Sequence, residues 1–135
     1  MKLKNLLLLL LLLTPYTVSQ AADDIVAEAR KLIASGESKQ AFLMLKPQAK
    51  QGVAGAQYVL GQMYIDGNGV TKNPDAALKW FKLAAEQNHL GAANTLGKMY
   101  ASGLDVPQDD KEATKWFTLA AQIADATGED PEDCD

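Results

Sequence analysis

The chain has 135 residues, enough for one small domain, with 13 basic residues against 17 acidic ones and a formal net charge of −4. That balance lacks the basic footprint that nucleic-acid binding requires. A lone cysteine, Cys134, leaves no internal pair for a disulfide framework and reads as an exposed thiol without catalytic weight.

Lys2 and Lys4 precede an unbroken apolar run from Leu6 to Leu13, closed by Thr14 and Pro15, which reads as a signal peptide over residues 1–21. The run is too short for a membrane span, which needs about 20 apolar residues. Ser19 and Ala21 supply small residues ahead of a cleavage near Ala22, and no cysteine is there to take a lipid. The expectation is a soluble exported protein, periplasmic or secreted and not a lipoprotein, with no membrane insertion after cleavage.

Residues 23–51 read as a degenerate N-terminal capping hairpin. Ile25, Ala29, Leu32 and Ile33 share one face of a helix from Asp24 to Ala34, Ser35 and Gly36 break it, and Ser38 is placed to cap a second helix from Lys39 to Gln51. Ala41, Leu45 and Ala49 face inward there, and Pro47 predicts a bend near Lys46.

The segment from Gly52 to Gln87 then returns, without a gap, as Asn88 to Ile123, with 15 of 36 positions identical. One supersecondary unit has been copied, giving repeats over residues 52–87 and 88–124. In each first helix an inward stripe recurs, Ala56, Leu60, Met63 and Tyr64, then Ala92, Leu96, Met99 and Tyr100. Gly61 and Gly97 lie inside these helices, where glycine costs about 1 kcal/mol against alanine, so a close helix crossing is predicted at both. In the following loops Gly67 matches Gly103 and Gly69 matches Asp105, positions that call for left-handed backbone, while Val70 and Val106 plug the loop into the core. Asn73 and Pro74 read as N-cap and first helical residue of the next helix, a part taken by Asp109 or Asp110 in the second copy. Those helices carry Ala77, Trp80, Phe81 and Ala84, then Ala113, Trp116, Phe117 and Ala120, with both tryptophans read as core. Asn88 serves as a left-handed C-cap. After Ala124, residues 125–135 form an acidic tail expected to be disordered, holding six of the acids.

The predicted architecture is all-α, an α-solenoid of stacked antiparallel helix hairpins with about six helices. The segments AQYVLGQMYIDGNGV with AALKWFKLAAEQ, and AANTLGKMYASGLDV with ATKWFTLAA, resemble the Sel-one-like repeat, a relative of the tetratricopeptide repeat. The lead-in AFLMLKPQAKQG resembles the half-repeat that precedes the first full copy in exported members. The resemblance implies a right-handed superhelix used as an adaptor or scaffold, with roles among exported bacterial members in signalling, envelope assembly, host interaction and immunity against phospholipase toxins. A cysteine-rich branch that binds or hydrolyses β-lactams is not matched, because neither hairpin has a cysteine. Ala93 in place of Gln57, and Leu104 and Asp105 in place of Asn68 and Gly69, mark a drifting second copy.

For catalysis the inventory is thin. His89, the only histidine, falls at the junction of the copies, Asp66 and Asp75 flank one loop where their carboxylates could meet, and no metal-ligand spacing, phosphate loop or dinucleotide fingerprint occurs. No catalytic residue, metal or cofactor is expected. Binding is expected on the inner wall, through Tyr58, Gln62, Ile65 and Asp66 of the first copy and Asn94, Lys98, Ala101 and Ser102 of the second. These groups suit a protein or peptide partner. The uncovered C-terminal end offers self-association as a further expectation. The alternatives are an immunity-type inhibitor of an envelope-targeting toxin such as a phospholipase, and a weak hydrolase.

Overall fold

The computed structural model describes residues 18–129, so the leader through Thr17 and the last six residues, with Cys134, lie outside the described residues. Six helices follow one another: α1 (Val18–Ala34), α2 (Ser38–Lys50), α3 (Ala54–Asp66), α4 (Pro74–Ala85), α5 (Leu90–Ser102) and α6 (Asp110–Thr127). Each packs mainly on its neighbours in sequence, and α1 also touches α3. The result is three stacked antiparallel hairpins, the solenoid expected from the repeat. No described helix is long and apolar enough to cross a membrane.

Several ends differ from expectation. Helix α1 starts at Val18, ahead of the expected cleavage point, and Ala22 is buried within it. Ser38 is the first residue of α2 and is itself buried, while Glu37 occupies the N-cap position without a side-chain cap bond. Helix α6 runs to Thr127, into the stretch expected as tail, because Thr127 Oγ1 bonds back to the Ile123 carbonyl and Gly128 closes the helix at φ 72°.

Within the repeats the local chemistry follows the residues. Asn73 accepts from the Ala76 amide at 3.0 Å with Pro74 behind it, and Asp109, rather than Asp110, caps α6 by accepting from the Lys111 and Glu112 amides. Gly69 and Asp105 both adopt positive φ, 74° and 65°. Gly69 also rests on the backbone of Ser38, where a Cβ would come within 2.5 Å of the carbonyl, so loop one is seated on the start of α2. Asp105 has room for its side chain and pairs with Lys72 Nζ at 3.1 Å, tying the two loops together.

Two core clusters result. One joins α1 and α2 to the inner side of α3, with Leu45, Val59, Leu60 and Met63. The other joins repeat one to repeat two through Tyr58, Phe81, Leu96, Trp116 and Ile123. The paired aromatics divide the work by direction. Trp80 packs against the core shared with the N-terminal hairpin and is half-buried there, while its equivalent Trp116 is buried with Nε1 donating to Glu112 at 3.0 Å. Phe81 is 1% exposed under the next repeat, whereas Phe117 is 40% exposed, since no described helix follows it.

The junctions use different chemistry. At the first, buried Gln57 donates to the Ala49 carbonyl at 3.1 Å and accepts from Gln87 Nε2 at 2.8 Å. At the second, the equivalent residues are Ala93 and Ile123, both buried apolar. A satisfied amide pair has thus been exchanged for hydrophobic packing, and neither form leaves a buried polar atom unpaired.

Gly61 and Gly97 admit aromatic rings. A Cβ at Gly61 would lie 2.5 Å from the Phe81 ring, and one at Gly97 would lie 2.6 Å from the Phe117 ring. The expected close approach is real at both, but the approaching group is a ring rather than a helix backbone. Phe81 is enclosed and cannot retreat; Phe117 can swing toward solvent. Gly61→Ala is therefore expected to destabilise by about 1–2 kcal/mol net of its gain in helix propensity, and Gly97→Ala to be neutral or mildly stabilising. Thermal unfolding of the two variants checks this, and equal shifts would refute it.

His89 caps α5. Its Nδ1 accepts from the Ala92 amide at 3.2 Å, and its ring lies over Tyr58 with centroids 4.6 Å apart. Burial, reinforced by the positive charge of Arg30 and only partly offset by a hydrogen bond and Glu129, holds its pKa below the ordinary value of 6.5. A histidine cation at this place would lose the cap acceptor and put positive charge at the positive end of the helix. Between the lowered native value and 6.5 the unfolded chain binds more protons, so stability is complete above that window and falls as pH drops through it. His89→Asn, which keeps a capping oxygen, is expected to flatten this part of the Tm-against-pH curve; an unchanged curve would refute the assignment.

Candidate functional site

Helices α3 and α5 are the first helices of successive repeats and are not among the closely packed pairs, so a groove of ≈ 290 Å³ opens between them. Five of the expected wall residues meet there: Gln62, Ile65 and Asp66 from α3, and Lys98 and Ser102 from α5. Phe81 rises from α4 to form the floor, and Thr95 and Met99 complete the α5 side. Leu104 and Asp105, from the loop after α5, form the lip. Both helices bring their C-terminal ends to this part of the groove, since Asp66, the last residue of α3, and Ser102, the last residue of α5, both line it.

Two expected members fall elsewhere. Tyr58 is 7% exposed and packs on Phe81, His89 and the backbone at Gly91, so it belongs to the junction between repeats, not to the wall. The reason is that α3 is covered nearly all round: Ala56, Gln57, Tyr58, Val59, Leu60, Gly61 and Met63 are all buried. A stripe argument assumes one wet face at that level, and only the last turn has one. Asn94, the equivalent of Tyr58 in the second copy, is half-buried and does not line the groove. Ala101 is exposed but likewise outside it. The residues missed in advance are Phe81, Thr95, Met99, Leu104 and Asp105. One was visible in principle: an aligned loop that exchanges Asn68 for Leu104 places a large apolar side chain where solvent is expected.

The groove's charges are few and separate. Asp105 is neutralised by Lys72, and neither Asp66 nor Lys98 has an ion pair among the described residues. Ser102 Oγ accepts from the Leu104 amide at 3.2 Å and donates to the Met99 carbonyl at 3.3 Å, which pins the lip to the end of α5.

The ingredients named for hydrolysis are dispersed. His89 lies at a helix cap outside the groove, with Nδ1 already engaged. Asp75 lines a separate recess of ≈ 530 Å³ with Lys79, Trp80 and Leu83, so the Asp66 and Asp75 carboxylates are not brought to one site. Among the described residues no three histidine, cysteine, aspartate or glutamate side chains are gathered as a metal site. What the groove offers is an apolar floor, hydrogen-bonding groups on its walls and single charges on its rim.

The Sel1 repeat pattern matches residues 54–89 and 91–125. Among solved structures, the chain is similar to a Sel1 repeat protein from Oxalobacter formigenes, with 32% identity and a TM-score of 0.68 over 87% of this chain and 49% of that one. It is also similar to c5321, a protective antigen present in uropathogenic Escherichia coli strains that displays an SLR fold, with 32% identity and a TM-score of 0.67 over 75% of this chain and 22% of that one. The chain therefore spans about half of the first and about a fifth of the second. With two matched units that fold as stacked hairpins, the chain belongs to the Sel1 repeat family, whose repeats generally mediate protein–protein interaction.

Proposed function

We propose that this protein is a non-enzymatic adaptor of the bacterial periplasm, exported through its N-terminal leader, which holds a partner protein in the groove between α3 and α5. The observation that carries the reading is the convergence of Gln62, Ile65, Asp66, Lys98 and Ser102, from two copies of the repeat, on one apolar-floored recess. A groove built from two repeats needs both to be in register, which the Lys72–Asp105 pair and the shared core supply. Export is supported by the basic start, the Leu6 to Leu13 run and the small residues near Ala22.

The test is capture from envelope extract by the tagged chain, beside a variant carrying Gln62→Ala and Lys98→Ala. Both side chains are half-buried or exposed, so the variant is expected to keep its Tm. A protein held by the native chain and lost by the variant supports the reading; an identical catch from both removes the groove from consideration. Mass spectrometry of the chain from fractionated cells checks export, with a processed N-terminus in the periplasmic fraction expected and an intact one in the cytosol refuting it.

A further inference from the structure

Three features of the groove mouth, taken together, specify the chemistry of what fills it. Leu104 is 70% exposed, the most exposed of the large apolar side chains described, and stands where the first repeat has Asn68. Its backbone is anchored, the amide donating to Ser102 Oγ at the end of α5. Beside it, Ile65 and Met99 continue the apolar surface down to Phe81.

Charge is arranged against the helices' own stability. Asp66 is the last residue of α3, at the negative end of that helix, where an acidic side chain is unfavourable. Neither α3 nor α5 has a basic residue in its last turn, although both end at this mouth. Lys72, on the loop after α3, is taken up by Asp105. Two helix C-termini and Asp66, which has no ion pair among the described residues, put negative charge at the end of the groove where Ser102 and Leu104 lie, and the balancing charge is Lys98, one turn back along α5. Lys98 lies one turn further in along α5, where it repels a second cation and so favours a basic group at the mouth alone.

Resting on the reading of the groove as a protein site, we infer that its mouth takes an extended protein segment that lays an apolar side chain against Leu104, with a lysine or arginine beside it at Asp66. The incoming cation relieves the carboxylate and both helix ends together. Leu104 loses its contact with water at the same step.

The probes are three blocked synthetic heptapeptides: Gly-Ser-Lys-Leu-Lys-Ser-Gly, the same peptide with glutamate in place of both lysines, and the same peptide with serine in place of leucine. Binding is read from amide NMR shifts of the full chain. The lysine-leucine peptide in millimolar excess is expected to shift the amides of Ile65, Asp66, Met99, Ser102 and Leu104, with weaker binding at higher salt, and the other two peptides to shift them little. Leu104→Asn, which installs the residue of the first repeat at an exposed position, is expected to weaken binding by about tenfold or more. Asp66→Asn should abolish the discrimination between the lysine and glutamate peptides. Equal or stronger binding of the glutamate peptide, an unaffected Leu104→Asn, or no shift at these amides overturns the inference. If envelope capture still depends on Gln62 and Lys98 in that event, the groove remains the site and only the partner's chemistry was misassigned; if that dependence is missing too, the groove itself fails.

Discussion

The Phe81 ring lies against the α3 backbone at Gly61, in a notch that any side chain at that position would fill. Its other surfaces meet Tyr58 at 5.8 Å between centroids and line the floor of the groove. Tyr58 in turn supports His89, which caps α5, and touches the helix backbone at Gly91. One aromatic column thus links the α3 backbone, the cap of α5 and the floor of the groove. Because protein interiors are close-packed, a shift of Phe81 is passed to the cap of α5 and to the groove floor alike.

The second repeat repeats this arrangement without completing it. Phe117 covers Gly97 as Phe81 covers Gly61, yet it is partly exposed, and the neighbouring positions that face the next unit have changed character. Tyr58, Ile65 and Leu78 pack into the inter-repeat core, while the aligned residues of the second copy are Asn94, Ala101 and Thr114. Asn94, Ala101 and Thr114 thus present less apolar surface than their counterparts in the first copy, whereas Ala93 and Ile123, in place of the Gln57 and Gln87 pair, are buried at the junction between the two repeats.

Much of this was legible from residues alone, for reasons that can be named. The repeat period, the N-caps at Asn73 and Asp109 and the left-handed Asn88 and Asp105 depend on neighbours in sequence, and local chemistry decides them. Gly61 and Gly97 announced a close approach because glycine is otherwise costly inside a helix. The wall residues were less accessible. Gln62, Ile65 and Asp66 reach the groove because the last turn of α3 emerges from the core, and Tyr58 does not because the middle of the same helix is covered nearly all round. The depth of Trp80 was not legible either: its spacing matches that of Trp116 and it too packs on a core, but how far it is buried depends on the hairpin against which it lies.

The sequence by itself determined the hairpin unit, its two copies and the order of the helices, since these follow from a period in the apolar residues and from caps and turns that act within a few positions. Only the tertiary structure decided which faces meet. The tilt of one hairpin on the next buries Tyr58, leaves Trp80 half-exposed, opens the groove over Phe81 and carries Leu104 to its lip. Those outcomes depend on contacts between residues far apart in the chain, where packing volumes and the docking of loop on loop take over from local propensity.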